Sequence, residues 1–384
     1  MRPRRSTAAV FLVHAAIAGT LAPRIPAIKS GLGLGDGQLG IALTGFAAGL
    51  FAGTRIAAWL VDRYGSRRVV QVGLPLLAVG LAGPGLAGGL ATLTIALVPL
   101  GIAAGLVDVA MNAQAVQVER AARRPIMSSL HGFWSVGLLA SSGIASGLAA
   151  AGVSVRTNLV VAAAVLTVLS LLVPRGLLRD VRSERARDSR RGRVALAVVA
   201  LGIIGFCSFL GEGAAADWSG VYLHEDAGSS AALAALAFTA FAVGMVLSRF
   251  SADRLSARFG PVAVVRTGGI VAGLGLALGL AIEEVPAVLV AFALLGLGLA
   301  PIVPTVFSAA GNLSGGSWAL GWVVTMSYVG MVLGPAAIGA LAHGVGLRAG
   351  LVVPAALALV AAALAGFART AAGPEPTAPS PPIP

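Results

Sequence analysis

The chain has 384 residues, of which 57% are hydrophobic and only 11% charged. A soluble domain cannot bury that much apolar surface, so the composition excludes a soluble enzyme and points to a chain that crosses a membrane many times. The net charge of +12 comes from arginines set in loops between apolar runs, which argues against nucleic acid as a partner, and the single Cys207 rules out a disulfide within the chain.

A spanning helix needs about 20 apolar residues. The apolar runs predict twelve helices, over 7–28, 38–61, 69–86, 92–118, 128–150, 157–173, 194–222, 230–251, 262–282, 286–310, 318–342 and 351–367. The first run follows Arg2, Arg4 and Arg5 and has the outline of a signal peptide. It leads into Pro23 and Pro26, however, and the second half of the chain begins with a helix in the same place, so it is expected to stay as a helix. Residues 1–173 then form one six-helix bundle, 174–193 a basic linker, 194–369 a second bundle, and 370–384, rich in Pro and Ala, a disordered tail. Twelve spans with both termini inside put 20 of the Lys and Arg residues in inner loops and tails and leave only Lys29, Arg156 and Arg348 in outer loops. That bias predicts cytoplasmic termini.

One stretch organises the rest. Gly53 to Arg68 closes an apolar helix with Asp62 and Arg63, turns at Gly65, and continues through Arg67 and Arg68. It recurs at Gly244 to Gly260, with Gly244, Asp253 and Arg254 each 191 positions after Gly53, Asp62 and Arg63. A repeat at half the chain length predicts two copies of one bundle. Glycine, eight residues, Asp-Arg, then glycine and basic residues resembles the signature loop of the major facilitator superfamily. The resemblance implies an all-α polytopic membrane protein with twelve helices in two pseudo-two-fold related six-helix bundles.

Ionisable groups inside the spans are the informative ones, since each costs about 2.5–3.5 kcal/mol at a helix centre. They are His14 and Arg24 in helix 1, Arg55 in helix 2, Asp108 in helix 4, Glu212 and Asp217 in helix 7, and Arg249 in helix 8. Asp108 and Asn112 are four apart and share a helix face, which Glu119 continues toward the inner end. A carboxyl held there can gain and lose a proton as water reaches it, so Asp108 and Glu212 are the expected proton-coupling residues. Five residues turn a helix by about 140°, so Glu212 and Asp217 do not share a face. Arg24 and Asp217 occupy comparable outer-end positions, and a pair across the outer mouth is expected when it closes. Trp134, Trp218, Trp322 and Tyr328 offer rings to a sugar, a cyclitol or a cation. Asn112, Gln114, Gln117 and Asn312 offer hydrogen bonds, and His14, Arg24 and Asp217 complete the expected substrate set.

Asp62, Arg63, Arg67, Arg68, Glu119, Arg249, Asp253 and Arg254 are the expected gating residues. Asp62 would cap helix ends of the other half, Arg63 or Arg67 would pair with Glu119, and Arg249 and Asp253 would pair along helix 8. Gly137, Gly143 and Gly147 in helix 5 and Gly330, Gly334 and Gly339 in helix 11 admit close packing. His14, His131, His224 and His343 are scattered without metal-ligand spacing, and no phosphate-binding loop is present. No cofactor and no enzyme activity are expected.

The acid and Asn112 of helix 4 resemble the fucose permease branch of the superfamily, where the matching acid takes part in proton and sugar handling. That branch also has an acid on helix 1, which is absent here. Residues 23–29, 112–114, 124–132, 212–219 and 296–304 are similar to MosC-like membrane proteins, a branch associated with rhizopine, an amino-cyclitol. The likeness spans nearly the whole chain. The expected function is a monomeric secondary transporter of a bacterial inner membrane, coupled to protons and taking up a small sugar- or cyclitol-like solute. Proton-coupled efflux of amphiphilic or cationic compounds is the alternative.

Overall fold

Apolar runs of this length can satisfy their backbone N–H and C=O groups in a bilayer only within the segment, so they form helices. The computed structural model describes residues 3–180, 191–229, 231–314 and 316–372, and no strand occurs among them. Twelve helices are long and apolar enough to cross a membrane: α1 (Pro3–Gly31), α2 (Gln38–Tyr64), α3 (Ser66–Leu86), α4 (Leu90–Ala122), α5 (Met127–Ala150), α6 (Val155–Gly176), α7 (Ala195–Asp226), α8 (Leu236–Phe259), α9 (Pro261–Ile282), α10 (Val285–Asn312), α11 (Gly316–Val345) and α12 (Leu347–Ala371).

The departures from the predicted spans have local causes. α2 and α8 run past their expected ends, α8 by a full two turns, because nothing in Ser-Ala-Asp-Arg-Leu-Ser-Ala-Arg-Phe stops a helix. Each ends only at a glycine with positive φ, Gly65 at 86° and Gly260 at 81°, a conformation that strains any residue with a Cβ. A 3-10 turn at Ala22–Arg24 breaks α1 around Pro23, and α10 is interrupted between Leu299 and Ile302 by Pro301. α12 closes on a 3-10 stretch, Leu364–Ala372, so residues 370–372 of the expected tail are helical. The rest of that tail and residues 181–190 of the expected linker lie outside the described residues. Within the first part of the linker, Asp180 accepts hydrogen bonds from the backbone N–H groups of Ser66 and Arg67, at 2.9 and 3.1 Å, and so caps α3.

Helices α1–α6 and α7–α12 form the two halves. In each, the second and fourth helices are in backbone contact with no side chain between. A Cβ on Gly53 would collide with the carbonyl of Ile102, and one on Gly105 with the carbonyl of Leu50. In the second half a Cβ on Gly244 would collide with Ala293 and one on Gly296 with Phe241. All four residues of each seam are displaced by the same 191 positions. The repeat seen in the loop is therefore a repeat of register between α2·α4 and α8·α10. Small residues admit such approach in lipid, where packing rather than hydrophobic burial drives association.

The halves meet on the side that carries the arginine-rich loops. Arg120 on α4 donates to Asn312 and to the carbonyl of Gly311 on α10, at 2.5 and 2.7 Å. Thr54 on α2 bonds Thr325 on α11 at 2.9 Å. Phe133 on α5 packs edge-on against Phe250 on α8. Toward the opposite face Leu139 and Ile144 of α5 and Val332 and Leu341 of α11 are exposed, and nothing lies within 4 Å of a Cβ placed on Gly143 or Gly147. The halves thus close at the arginine-rich face and diverge toward the other.

Gly101 faces the carbonyl of Phe46 in the α2·α4 seam. Gly101→Ala is expected to destabilise the detergent-solubilised protein by about 1–3 kcal/mol through overpacking. Gly143→Ala, set in open space, should be neutral or gain up to about 1 kcal/mol from helix propensity. Thermal unfolding of the two variants side by side checks the difference, and equal midpoints would contradict the seam.

Candidate functional site

Asp108 sits half-way along α4, 4% exposed. One turn on, Asn112 donates to the backbone carbonyl of Asp108 at 2.9 Å and to its Oδ1 at 3.3 Å. These two acceptors fix the orientation of the amide, because a flipped Asn112 would set oxygen against oxygen. The Asn112 carbonyl oxygen then faces His131 Nε2 on α5, 3.1 Å away. His131 must therefore carry its proton on Nε2 and donate it. Its ring is held edge-on between Phe11 of α1 and Phe307 of α10, with centroids 5.2 and 5.9 Å off.

A second histidine is fixed by the same reasoning. Trp134 on α5 can only donate, and its Nε1 lies 3.1 Å from His14 Nδ1. His14 is then protonated on Nε2, which faces the carbonyl of Ala104, one turn from Asp108 on α4, at 3.4 Å.

From the other half, Arg249 on α8 reaches into the same region. It pairs with Glu212 of α7 at 3.6 Å and donates to Ser135 of α5 across the interface. Its charge also acts on His131. Tyr328 on α11 stands against Phe209 and brings its hydroxyl near Asp108, within electrostatic reach of Glu212 as well. The approach closes no full hydrogen bond, and Asp108 Oδ2 has no partner. Asp108, Asn112, His131, Arg249, Glu212 and Tyr328 thus form a ring that both halves share. Asp108 is the member without a cation: Arg55 stacks on Trp322 with its guanidinium 3.7 Å from the ring centroid, and Arg24 donates to the carbonyl of Val153.

Several residues expected at the substrate lie elsewhere. Gln114 is two positions from Asn112 and so on the opposite face of α4. It donates to Ser66 Oγ and to the carbonyl of Leu178, at 2.8 and 3.1 Å, and with Gln117 it holds the start of the linker. Asn312 serves Arg120 at the closed face. Trp322 is taken by Arg55. Trp218 packs into the space left by Gly339 within its own half. Asp217 is exposed, and Arg24 is spent inside the first bundle, so the two do not meet in this open-mouthed arrangement. Arg249, expected to pair with Asp253, belongs instead to the central ring.

Asp253 and Glu119 work at the closed face. Asp253 accepts from the backbone N–H groups of Ser128 and Ser129, both at 2.9 Å, and Glu119 from those of Ile126 and Met127, at 2.8 and 3.0 Å. Two carboxylates thus cap the first turn of α5, where the helix dipole favours them. Glu119 also takes the hydroxyl of Ser308 from α10. Its expected partner Arg67 binds the carbonyl of Arg175 instead. Asp62, the repeat-mate of Asp253, is exposed and makes no side-chain bond among the described residues, and Arg63, Arg68 and Arg254 are exposed. His131 and Ser135 are the site residues that sequence reasoning missed. His131 sits inside a predicted span, and the rule that singled out Asp108 applies to it equally.

The model of the Major Facilitator Superfamily matches residues 7–202 and 201–384. The uncharacterized transporter y4wD of Sinorhizobium fredii is 35% identical over 373 residues, 95% of this chain and 98% of its own. The membrane protein MosC of Rhizobium meliloti is 32% identical over 370 residues, 95% of this chain and 90% of its own. Among solved structures, the E. coli fucose:proton symporter FucP superposes with a TM-score of 0.80 at 18% identity, covering 94% of this chain and 97% of that one. The proton:xylose symporter XylE superposes with a TM-score of 0.71 at 14% identity, covering 93% of each. With twelve spans, duplicated halves and these matches along its whole length, the chain is a multi-pass membrane transporter and belongs to the Major Facilitator Superfamily.

Proposed function

We propose that this transporter is proton-coupled and takes up a small polar solute, sugar- or cyclitol-like, across a bacterial inner membrane by alternating access. The observation that carries the proposal is the free Oδ2 of Asp108, buried in a ring of residues from both halves and facing no cation. Glu212 has Arg249 to offset its charge; Asp108 has nothing comparable. A lone carboxylate at that depth is tolerated when a proton or a cargo group comes to it, so Asp108 alone is the proton carrier and Glu212 holds Arg249 in place. With the arginine-rich face taken as cytoplasmic by the positive-inside rule, the closed face is the inner one. The relatives in fold that are named as fucose:proton and proton:xylose symporters support the same reading. Hydrogen-bonding groups crowd Asp108, from Asn112, His131 and Tyr328, and they favour a hydroxylated cargo over the amphiphilic cation of the efflux reading.

The closed inner face rests on the capped first turn of α5. Loss of a cap costs about 1 kcal/mol, which shifts a two-state opening by roughly fivefold. Asp253→Ala should therefore raise labelling of a Thr305→Cys reporter by a membrane-impermeant maleimide from the inner side by about that factor. Asp62→Ala should leave it unchanged. Equal effects of the two would remove the asymmetry.

A thermal-shift screen of sugars, cyclitols and amines at two pH values identifies a ligand. With that ligand in proteoliposomes, Asp108→Asn is expected to abolish accumulation driven by a proton gradient while sparing counterflow exchange. Accumulation that survives in Asp108→Asn would end the coupling role.

A further inference from the structure

We infer that Glu212 and Arg249 together hold the cargo, and that they select a neutral solute with two adjacent hydroxyls over its amine counterpart. The inference rests on the uptake reading of the site and names the class of solute within it.

The argument starts from atoms that the fold leaves unused. Glu212 and Arg249 approach to 3.6 Å, which makes an ion pair but is too long for a hydrogen bond. Ser135 occupies Nη1 of Arg249. Glu212 Oε1 and Arg249 Nε are both buried and have no hydrogen-bond partner. A buried ion pair offsets the cost of leaving water only when its remaining lone pairs and protons are satisfied too. Here one acceptor and one donor of the same pair are left over. A vicinal diol complements them: one hydroxyl donates to the Glu212 oxygen, and its neighbour accepts from the Arg249 N–H. The pair is not sealed off, since the Glu212 side chain keeps 13% of its surface exposed, against 6% for Arg249.

Charge decides the class. The charged side chains of the ring are Asp108, Glu212 and Arg249. With the transported proton on Asp108 the other two cancel, and a neutral solute completes a neutral site. An ammonium group in place of a hydroxyl would face Arg249 at close range, with no carboxylate left over to offset it. An amine would have to claim Asp108 and displace the proton, which is the balance of exchange and not of joint uptake. An apolar wall stands beside the polar pair. Phe209 lies three residues before Glu212 on α7, on the same side of the helix, and packs against Tyr328 with ring centroids 5.3 Å apart. Apolar walls with a few fixed polar groups are the usual make-up of a small-solute site.

The test measures binding to the purified protein by thermal shift and titration calorimetry. The probes are myo-inositol, scyllo-inositol, D-glucose, L-fucose and D-xylose, with the monodeoxy and monoamino counterparts of whichever binds. At least one polyol should bind. One of its monodeoxy counterparts and the matching monoamino counterpart should each bind about tenfold or more weakly, because a site built for a hydroxyl is left with unpaired buried groups. Glu212→Gln should weaken the parent polyol by a similar factor and lose the discrimination between parent and deoxy solute. A pair that only tied α7 to α8 would change the unfolding temperature and leave that discrimination unchanged. Glu212→Leu combined with Arg249→Leu removes the pair as a unit and leaves no lone buried charge, so the double variant should fold and lose the polyol. Binding of an amine in preference to every polyol would overturn the inference, as would a panel in which no polyol binds. Full affinity and discrimination in folded Glu212→Gln, or polyol binding in the double variant, would overturn it too. Proton-driven accumulation does not enter this readout. If Asp108→Asn still accumulated solute, the proton-carrier reading would fall and the binding result at Glu212 would stand.

Discussion

A carboxyl group removed from water, short of partners and placed where two rigid bodies meet constrains everything around it. Asp108 is held by one amide, approached by one phenol and left with one bare oxygen. Burial of such a group is expensive unless a proton, a ligand or a change of surroundings relieves it. The other ring members follow from that demand. Asn112 supplies the donor, His131 satisfies the Asn112 oxygen, and Glu212 pairs with Arg249. Removing Glu212 would leave a buried guanidinium uncompensated, which costs about 3–5 kcal/mol.

The scaffold is symmetric and the chemistry is not. The same offset of 191 positions that maps the α2·α4 seam onto α8·α10 maps Asp108 onto Leu299 and Asn112 onto Val303. Both mates are buried in apolar packing. The duplicated signature loop shows the same divergence. Asp253 caps α5 of the opposite half, while Asp62 stands in the open. Duplication fixed how helices lie against one another, and the polar positions diverged on top of it.

That division explains what could be read from the sequence. Span count, repeat and family were legible because apolar length and a glycine-bounded basic loop are local signals. Asp108 was legible because an acid in an apolar run breaks a pattern. The face shared with Asn112 followed from helical spacing, and the same spacing, applied to Gln114, places it on the other side of α4 with Ser66 and Leu178. Pairings between helices were not legible. Nothing local links Arg55 to Trp322, Glu119 to Ser308 or Asn112 to His131, since each depends on how distant segments come together. Asp62 and Asp253 look alike in sequence and differ only in whether a helix terminus waits opposite.

The glycine seams make each half a stiff lever. Between α2 and α4 there is backbone against backbone at Gly53 and Gly105, with no side chain to swing aside and take up slack. Interiors packed this closely transmit strain rather than absorb it. A small shift of α4 at Asp108 is consequently handed on to α2, and α2 carries Thr54 and Arg55, which grip Thr325 and Trp322 on α11. Under the proposed coupling, the arrival of a single hydrogen ion at mid-depth would in this way be geared, through bare main chain, to the far side of the molecule.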